Sequence, residues 1–526
     1  MAGTHADLAP RGMTPVLERS GATEAAARGG LATMAGSALA GGTGVVVTWI
    51  VARSLGAEQA GAFFAATAAF VLAGGLAKLG TQTGLVYWPA RLRATGRAHL
   101  LGACLRAGLV PVAVVSVLLA AAMWLTAPVI ARVTAHDAGH VVEAHTAGLR
   151  VLAAFLPLQA LTDALLTATR GYRAMRPTVM LDRIVRSALQ LVLVGAAGVV
   201  ALWTAGSLPG FALAWVAPYL PVTVLSAYGL RRVYRAGKPP GVTTRRAERS
   251  GLRRDFWRFT GPRALASVAQ LALQRVDVLL VAALAGLAPA AVYAVAGRFV
   301  VLVQFANQGI SQSVQPRLAE ALSTGDRRGA NHLYQTATGW LVLVTWPVIL
   351  LVILFAPLWL RLFGEHYATE GRVVVAVLAG AMLVATGCGM VDMVLAMAGR
   401  TSWNLANVLI ALAVTIGLDV LLIPRYGALG AAIGLACAMV ANNLLPLIQV
   451  GRAVGLHPFG RGTRAAALLA VCCFGALPLT VTTIAGTGGT GLTLAALVAV
   501  PAYCGGAWLL RERLALDAFT PSRRTR

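Results

Sequence analysis

The sequence is dominated by apolar runs of about 20 residues, the length that an α-helix needs to cross the hydrocarbon core of a bilayer. Charged residues make up only 12% of the chain, whereas a soluble domain carries about 25%. The pattern predicts an all-α polytopic membrane protein with about fourteen transmembrane helices. The predicted spans are residues 31–52, 60–82, 101–126, 147–169, 178–203, 208–230, 259–284, 288–314, 333–359, 372–397, 403–423, 427–450, 465–485 and 490–510.

The distribution of basic residues predicts how the chain is oriented. A net charge of +25 is compatible with nucleic-acid binding. Most of the 44 Lys and Arg residues, however, lie in the two termini and in the loops that follow the even-numbered predicted spans. Loops rich in Lys and Arg stay on the cytoplasmic side of a membrane. We therefore expect both termini to be cytoplasmic and expect no nucleic-acid partner.

An internal repeat predicts the domain organisation. The segment VARSLGAEQAGAFFAATAAF, from Val51, aligns with VAALAGLAPAAVYAVAGRFV, from Val281, and places Gly56 on Gly286 and Phe63 on Tyr293. Parallel repeats of this kind place the substrate between two halves. The predicted parts are an N-terminal tail (1–30), a first six-helix lobe (31–230), a basic linker (231–258), a second six-helix lobe (259–450), a C-terminal helix pair (465–510) and a C-terminal tail (511–526).

Three charged residues lie within the first two spans of the second lobe: Arg275, Asp277 and Arg298. A charge inside a spanning helix costs about 2.5 to 3.5 kcal/mol and usually faces a partner or a wet cavity. A guanidinium matches phosphate oxygens bidentately, so the arginines are candidates for binding a diphosphate. The alternative is an internal ion pair of Asp277 with either arginine.

Polar residues continue along the eighth span at intervals of three or four, which places them on one helical face. The candidates for substrate binding are Gln304, Gln308 and Ser311, with Asn307 and Gln315 in the same series. Such a stripe suits sugar hydroxyls. Hydrogen bonding between helices in lipid is the alternative.

Three further carboxylates, Asp163, Asp392 and Asp419, are possible proton or cation sites, because a carboxylate in a spanning helix can take up and release a proton or cation. Asp163 and Asp392 are the candidates for ion coupling. Asp419 lies close to the predicted outer boundary, where simple solvation is the alternative. The i, i+4 spacing of Asp182 and Arg186 is typical of a structural surface pair.

The loop AHDAGHVVEAH contains His136, His140 and His145. His136 and His140 share a helical face, as metal ligands can, but an exposed polar loop needs no metal, and we predict neither a metal nor another cofactor. The sequence has no GxSxG, HExxH or Walker A motif, so we expect neither an enzyme nor an ATP-driven pump.

Five segments, in the same order along nearly the whole chain, resemble the polysaccharide-biosynthesis, O-antigen-flippase-like exporters of the multidrug/oligosaccharidyl-lipid/polysaccharide (MOP) superfamily. The segments are ARSLGAEQAGAFF, LAKLGTQTGL, QRVDVLLVAALAGLAPAAVYAVAGRF, QPRLAEALSTGD and LIPRYGALGAAIG.

The resemblance implies a flippase that moves a lipid-linked oligosaccharide or polysaccharide precursor, as in lipopolysaccharide assembly, across the bacterial plasma membrane by alternating access. It also implies contact with membrane lipids and with a glycan polymerase or glycosyltransferases of the cell envelope. A lipid II flippase and a MATE-like drug/cation antiporter remain alternatives. Against the antiporter, spans one and two contain no carboxylate, leaving Asp163 in span four.

Overall fold

The structure, a computed structural model, describes residues 14–135, 139–172, 174–236 and 246–516. Within these ranges the chain is helical and forms no β-strand. Thirteen helical segments are long and apolar enough to cross a membrane. The predicted all-α membrane fold is therefore confirmed.

The helices are α1 (Thr14–Ala77), α2 (Thr81–Ala94), α3 (Leu101–Ala135), α4 (Val142–Gly171), α5 (Ser187–Ala201), α6 (Leu208–Val216), α7 (Tyr219–Ala236), α8 (Arg246–Ala285), α9 (Leu287–Ser323), α10 (Arg327–Leu354), α11 (Ala356–Arg361), α12 (Glu365–Gly387), α13 (Val391–Met397), α14 (Thr401–Tyr426), α15 (Ala428–Ala453), α16 (Arg461–Ala470), α17 (Leu477–Ala485) and α18 (Gly489–Leu509). Two π-helical turns continue into α5 and α17: Thr178–Arg186 and Val471–Ala476.

Thirteen segments account for the fourteen predicted spans because the first segment, Leu39–Ala94, contains two of them. Gly56 interrupts α1 with non-helical dihedrals, φ 74° and ψ 172°. Gly286, between α8 and α9, has nearly the same conformation, φ 94° and ψ −179°. A positive φ favours glycine, which has no Cβ. The two residues that the repeat superposes thus make the same kind of turn.

The two glycine turns meet at one end of the protein, which we call the Gly-turn end. A Cβ added to Gly61 of α1 would lie 1.8 Å from the carbonyl oxygen of Leu287, at the start of α9. Around this contact lies an apolar cluster that includes Val51, Phe63 and Val292. The Gly-turn end is therefore closed by direct packing of helices from both repeats.

The opposite end carries the basic loops, and we call it the basic-loop end. The predicted linker 231–258 is largely helical: residues 231–236 end α7 and residues 246–258 begin α8, whereas 237–245 lie outside the described residues. Leu252 and Phe256 of α8 are buried against the first-repeat residues Leu85 and Leu101. The start of α8 therefore packs as part of the first half of the chain.

Candidate functional site

A cavity of about 600 Å³ lies between α1, the first π-helical turn, α5, α6, α8, α9, α12, α13 and α15. Its charged lining residues are Arg186, Arg275, Asp277, Arg298 and Asp392. Its amide lining residues are Gln190, Gln270, Gln274, Gln304, Asn307, Asn442 and Asn443. The cavity thus collects charged and amide side chains from both halves of the chain.

Five of the eight residues predicted for the site line this cavity: Arg275, Asp277, Arg298, Gln304 and Asp392. Gln308 and Ser311 are not among the lining residues. Ser311 donates a hydrogen bond to Asn307 of the preceding turn, at 3.3 Å, and Gln308 is exposed.

Arg275 and Arg298 carry guanidinium groups that form no salt bridge with a carboxylate among the described residues. In each, Nε is buried and has no hydrogen-bond partner among the described residues. Asp277 does not lie within salt-bridge distance of either arginine in the described part of the chain. Arg298 Nη1 reaches across to α1, where a Cβ on Gly44 would lie 3.9 Å from it. Among the described residues, the alternative of a direct ion pair of Asp277 with either arginine is therefore not observed.

Asp277 belongs to a buried acidic group instead. It accepts a hydrogen bond from the hydroxyl of Tyr293 on α9, and its other carboxylate oxygen has no partner. Asp419 of α14 is a second buried carboxylate, and α14 packs against α8, which carries Asp277. A buried carboxylate without a partner is costly unless it binds a proton or a cation. The arrangement can therefore hold either.

Asp419 itself is fully buried, with 0% exposure, and neither carboxylate oxygen has a hydrogen-bond partner among the described residues. A Cβ added to Gly434 of α15 would lie 2.2 Å from its Oδ1. The interpretation of Asp419 as a solvated boundary residue was wrong, because α14 and α15 pack together over it.

The two carboxylates predicted for ion coupling have different surroundings. Asp163 forms a salt bridge of 2.6 Å with Lys78 at the end of α1, and both side chains are largely buried. Asp392 projects from α13 into the cavity with an exposed side chain. Asp163 is therefore already paired with a cation of the protein, whereas the Asp392 carboxylate faces the cavity.

Arg186 is a cavity residue that the sequence prediction missed. It lies in the π-helical turn before α5, and its side chain is 18% exposed. It donates to Asp182 at 2.8 Å and to Gln190 at 2.9 Å, and it stacks over the ring of Tyr219. The predicted i, i+4 pair with Asp182 is therefore present, but it lies at the cavity and not at a surface; a π-helical turn often marks a functional site.

The histidines of the AHDAGHVVEAH segment have separate contacts. His140 lies 3.1 Å from a carboxylate oxygen of Glu58, and His145 is buried 3.2 Å from the hydroxyl of Thr134. His136 lies outside the described residues. In the ranges that the structure covers, no group of three or more His, Cys, Asp and Glu residues is placed to hold a metal ion.

Residues 26–322, more than half of the chain, match the family model for polysaccharide biosynthesis proteins. The chain belongs to the polysaccharide biosynthesis protein family. Residues 262–421 also match the model of the MatE family. No curated protein matches the chain in sequence.

Three solved structures of similar fold agree with this assignment. A lipid II flippase, MurJ, in an inward closed conformation has a TM-score of 0.69 and 13% identity, covering 90% of this chain and 98% of its own. An inward-facing multidrug resistance MATE family transporter has a TM-score of 0.62 and 14% identity, covering 78% of this chain and 94% of its own. A MOP superfamily transporter from Pyrococcus furiosus has a TM-score of 0.53 and 14% identity, covering 81% of this chain and 95% of its own.

These likenesses show the fold, and the family match covers the first repeat and the start of the second. Together they confirm the resemblance: this member of the polysaccharide biosynthesis protein family has the fold of multi-pass membrane transporters of the MOP superfamily.

Proposed function

We propose that this transporter moves a lipid-linked oligosaccharide or polysaccharide precursor from the cytoplasmic to the outer leaflet of a bacterial plasma membrane. The observation that carries the proposal is the pair of cavity arginines, Arg275 and Arg298, which form no salt bridge with a carboxylate among the described residues. An unpaired charge within a membrane protein is costly, and an anionic ligand offsets that cost. A diphosphate does so with bidentate, charge-assisted hydrogen bonds.

The basic-loop end is proposed to be cytoplasmic, with both termini on that side, because positively charged loops are retained there. Closure at the Gly-turn end supports loading of the cavity from the cytoplasm. Alternating access would then separate the Gly61 and Leu287 contact as the lobes 31–230 and 259–450 rock against one another. The cargo would pass to a glycan polymerase or glycosyltransferases, and we assign no catalytic step to the transporter itself.

The cavity also bears on the alternatives. A lipid II flippase is the named activity of one protein with the same fold, and the arginine pair suits any diphosphate-linked glycan. A drug/cation antiporter would bring an organic cation to a cavity in which Arg275 and Arg298 form no salt bridge with a carboxylate among the described residues. Two guanidinium groups without such a partner disfavour that cargo.

Reconstituted transport tests the proposal. In proteoliposomes, a fluorescent short-chain prenyl diphosphate carrying a sugar should become accessible in the opposite leaflet much faster than in protein-free vesicles. A membrane-impermeant quencher of the fluorophore measures the rate. Movement of an organic cation such as ethidium, with no movement of the lipid, would assign the antiporter function instead.

We further propose that Asp277 and Asp419 bind the coupling proton or cation. Asp392, which the sequence predicts for the same role, faces the cavity and is the second candidate. The Asp419→Asn variant should reduce transport under a proton or Na⁺ gradient to its gradient-free rate, because the neutral amide cannot exchange a charge. Replacing the paired charges together, as Lys78→Met/Asp163→Leu, should leave the gradient response in place. A full gradient response in Asp419→Asn would refute this assignment.

A further inference from the structure

We propose that the cavity contains a sugar-binding subsite, formed by Gln270, Gln304, Asn307 and Asp392, on the basic-loop side of the arginines. The inference rests on the proposed function and names the part of the cargo that is bound there: the sugar next to the diphosphate.

The positions along α8 and α9 separate the cavity into two levels. At the helical rise, Arg275 lies about 17 Å and Arg298 about 18 Å from the turn at Gly286, so the arginines share a level. Gln270 lies about 24 Å and Gln304 about 27 Å from the same turn. The amides are thus one to two helical turns nearer the basic-loop end than the arginines.

The hydrogen-bonding groups at this second level are free. Gln270 and Gln304 are exposed and line the cavity, and neither makes a hydrogen bond to another residue in the described part of the chain. Asn307 accepts from Ser311 through its Oδ1 and keeps its N–H donors. Unpaired amides facing hydrocarbon would be costly, so their exposure is explained by a polar occupant of the cavity.

Asp392 adds a carboxylate to this wall. It lies in the first turn of the short helix α13, which follows α12 after a break at Gly389 with a φ of 71°. Asn404 donates to the backbone carbonyl of Asp392 at 2.9 Å, while the carboxylate faces the cavity. On the facing wall, the charge of Arg186 is offset by Asp182.

The chemistry of this wall selects a class of ligand. A carboxylate accepts hydrogen bonds from hydroxyl groups, and side-chain amides offer both donors and acceptors. Together they match a hexose or a 2-acetamidohexose. An apolar cargo would leave the same groups without partners, which carries a desolvation penalty. The arginine level binds the diphosphate, and the amide level binds the sugar attached to it.

Equilibrium binding to the purified full-length transporter tests the subsite with two probes: farnesyl diphosphate, and the same lipid carrying one hexose or one 2-acetamidohexose. The wild-type protein should bind the glycosylated probes more tightly. Gln270→Leu, Gln304→Leu and Asp392→Asn should each lower affinity for a glycosylated probe about three- to tenfold, the effect of a lost hydrogen bond. Affinity for farnesyl diphosphate should stay unchanged.

Two controls separate this proposal from the proposed function. Gln308→Leu, on the same helix but outside the cavity lining, should bind both probes normally, whereas Arg298→Gln should weaken both equally. If the wild-type protein binds neither probe, the proposed function fails; if it binds all probes equally, only the sugar subsite fails. Equal losses for both probes in the Gln304 and Asp392 variants also overturn the subsite.

Gln304→Glu keeps the side-chain size and removes the N–H donors. It replaces Gln304→Leu in the binding experiment if the leucine variant does not fold.

Discussion

Replacing Arg298 with alanine is expected to abolish surface glycan while leaving the abundance of the transporter unchanged. The Arg298 guanidinium has no carboxylate partner within salt-bridge distance among the described residues, so its removal leaves no partner charge buried alone. What is lost is the bond to the cargo, since hydrogen bonds to charged groups contribute about 1.5 to 3 kcal/mol each. Lectin labelling of whole cells measures the glycan, and an immunoblot of membranes measures the protein.

Two variants serve as controls for this experiment. Arg298→Lys keeps the charge but loses the planar fork, and intermediate glycan output is expected. Arg97→Ala removes an exposed arginine that does not line the cavity, and it should behave as wild type. Normal glycan output from Arg298→Ala would contradict the proposal that this arginine binds the cargo.

Replacing Gly61 with alanine is expected to open the Gly-turn end. The added Cβ would lie 1.8 Å from the Leu287 carbonyl oxygen and 2.5 Å from its carbonyl carbon, so the backbone of α9 must move away. Overpacking of this kind costs about 1 to 3 kcal/mol. Because the contact exists only when the Gly-turn end is closed, the cost falls on the closed state, and transport should slow.

Cysteine accessibility measures this opening. In a variant whose six native cysteines are replaced by alanine, Thr48→Cys places a thiol in the cavity lining. Adding Gly61→Ala should increase its labelling by an impermeant thiol reagent applied to the outer face of cells. Gly42→Ala, in the same helix with nothing within 4 Å of the new Cβ, should leave the labelling as it was. Equal labelling in the two glycine variants would show that the Gly61 contact does not control closure.

Much of the candidate site was predictable because a charge within an apolar spanning helix is costly in lipid and is therefore expected to face a partner or a wet cavity. Arg275, Asp277, Arg298 and Asp392 were identified on that ground, and all four line the cavity. Gln304 was identified from helical spacing. The same spacing also pointed to Gln308 and Ser311, which lie outside the lining, because one stripe of α9 extends beyond the cavity.

The residues that were missed depend on how helices rotate and pack. Gln270 and Gln274 precede Arg275 on α8, but nothing in their spacing tells which face of α8 meets the cavity. The predicted i, i+4 pair of Asp182 and Arg186 forms, but Arg186 lies at the cavity and not at a surface, because the packing of its π-helical turn against other helices cannot be read from spacing. Asp419 was placed by its distance from the end of a span, whereas its burial comes from Gly434 on a different helix.

The sequence by itself determined the membrane class, the number of spans and the family, because span length and hydropathy are local properties set by the thickness of the bilayer. It also placed Gly56 and Gly286 in equivalent turns. Only the tertiary structure decided that these turns pack together, that Asp163 is paired with Lys78, and that Arg275 and Arg298 form no salt bridge among the described residues. Each of those outcomes depends on side chains from helices far apart in the chain, whose distances no local pattern encodes.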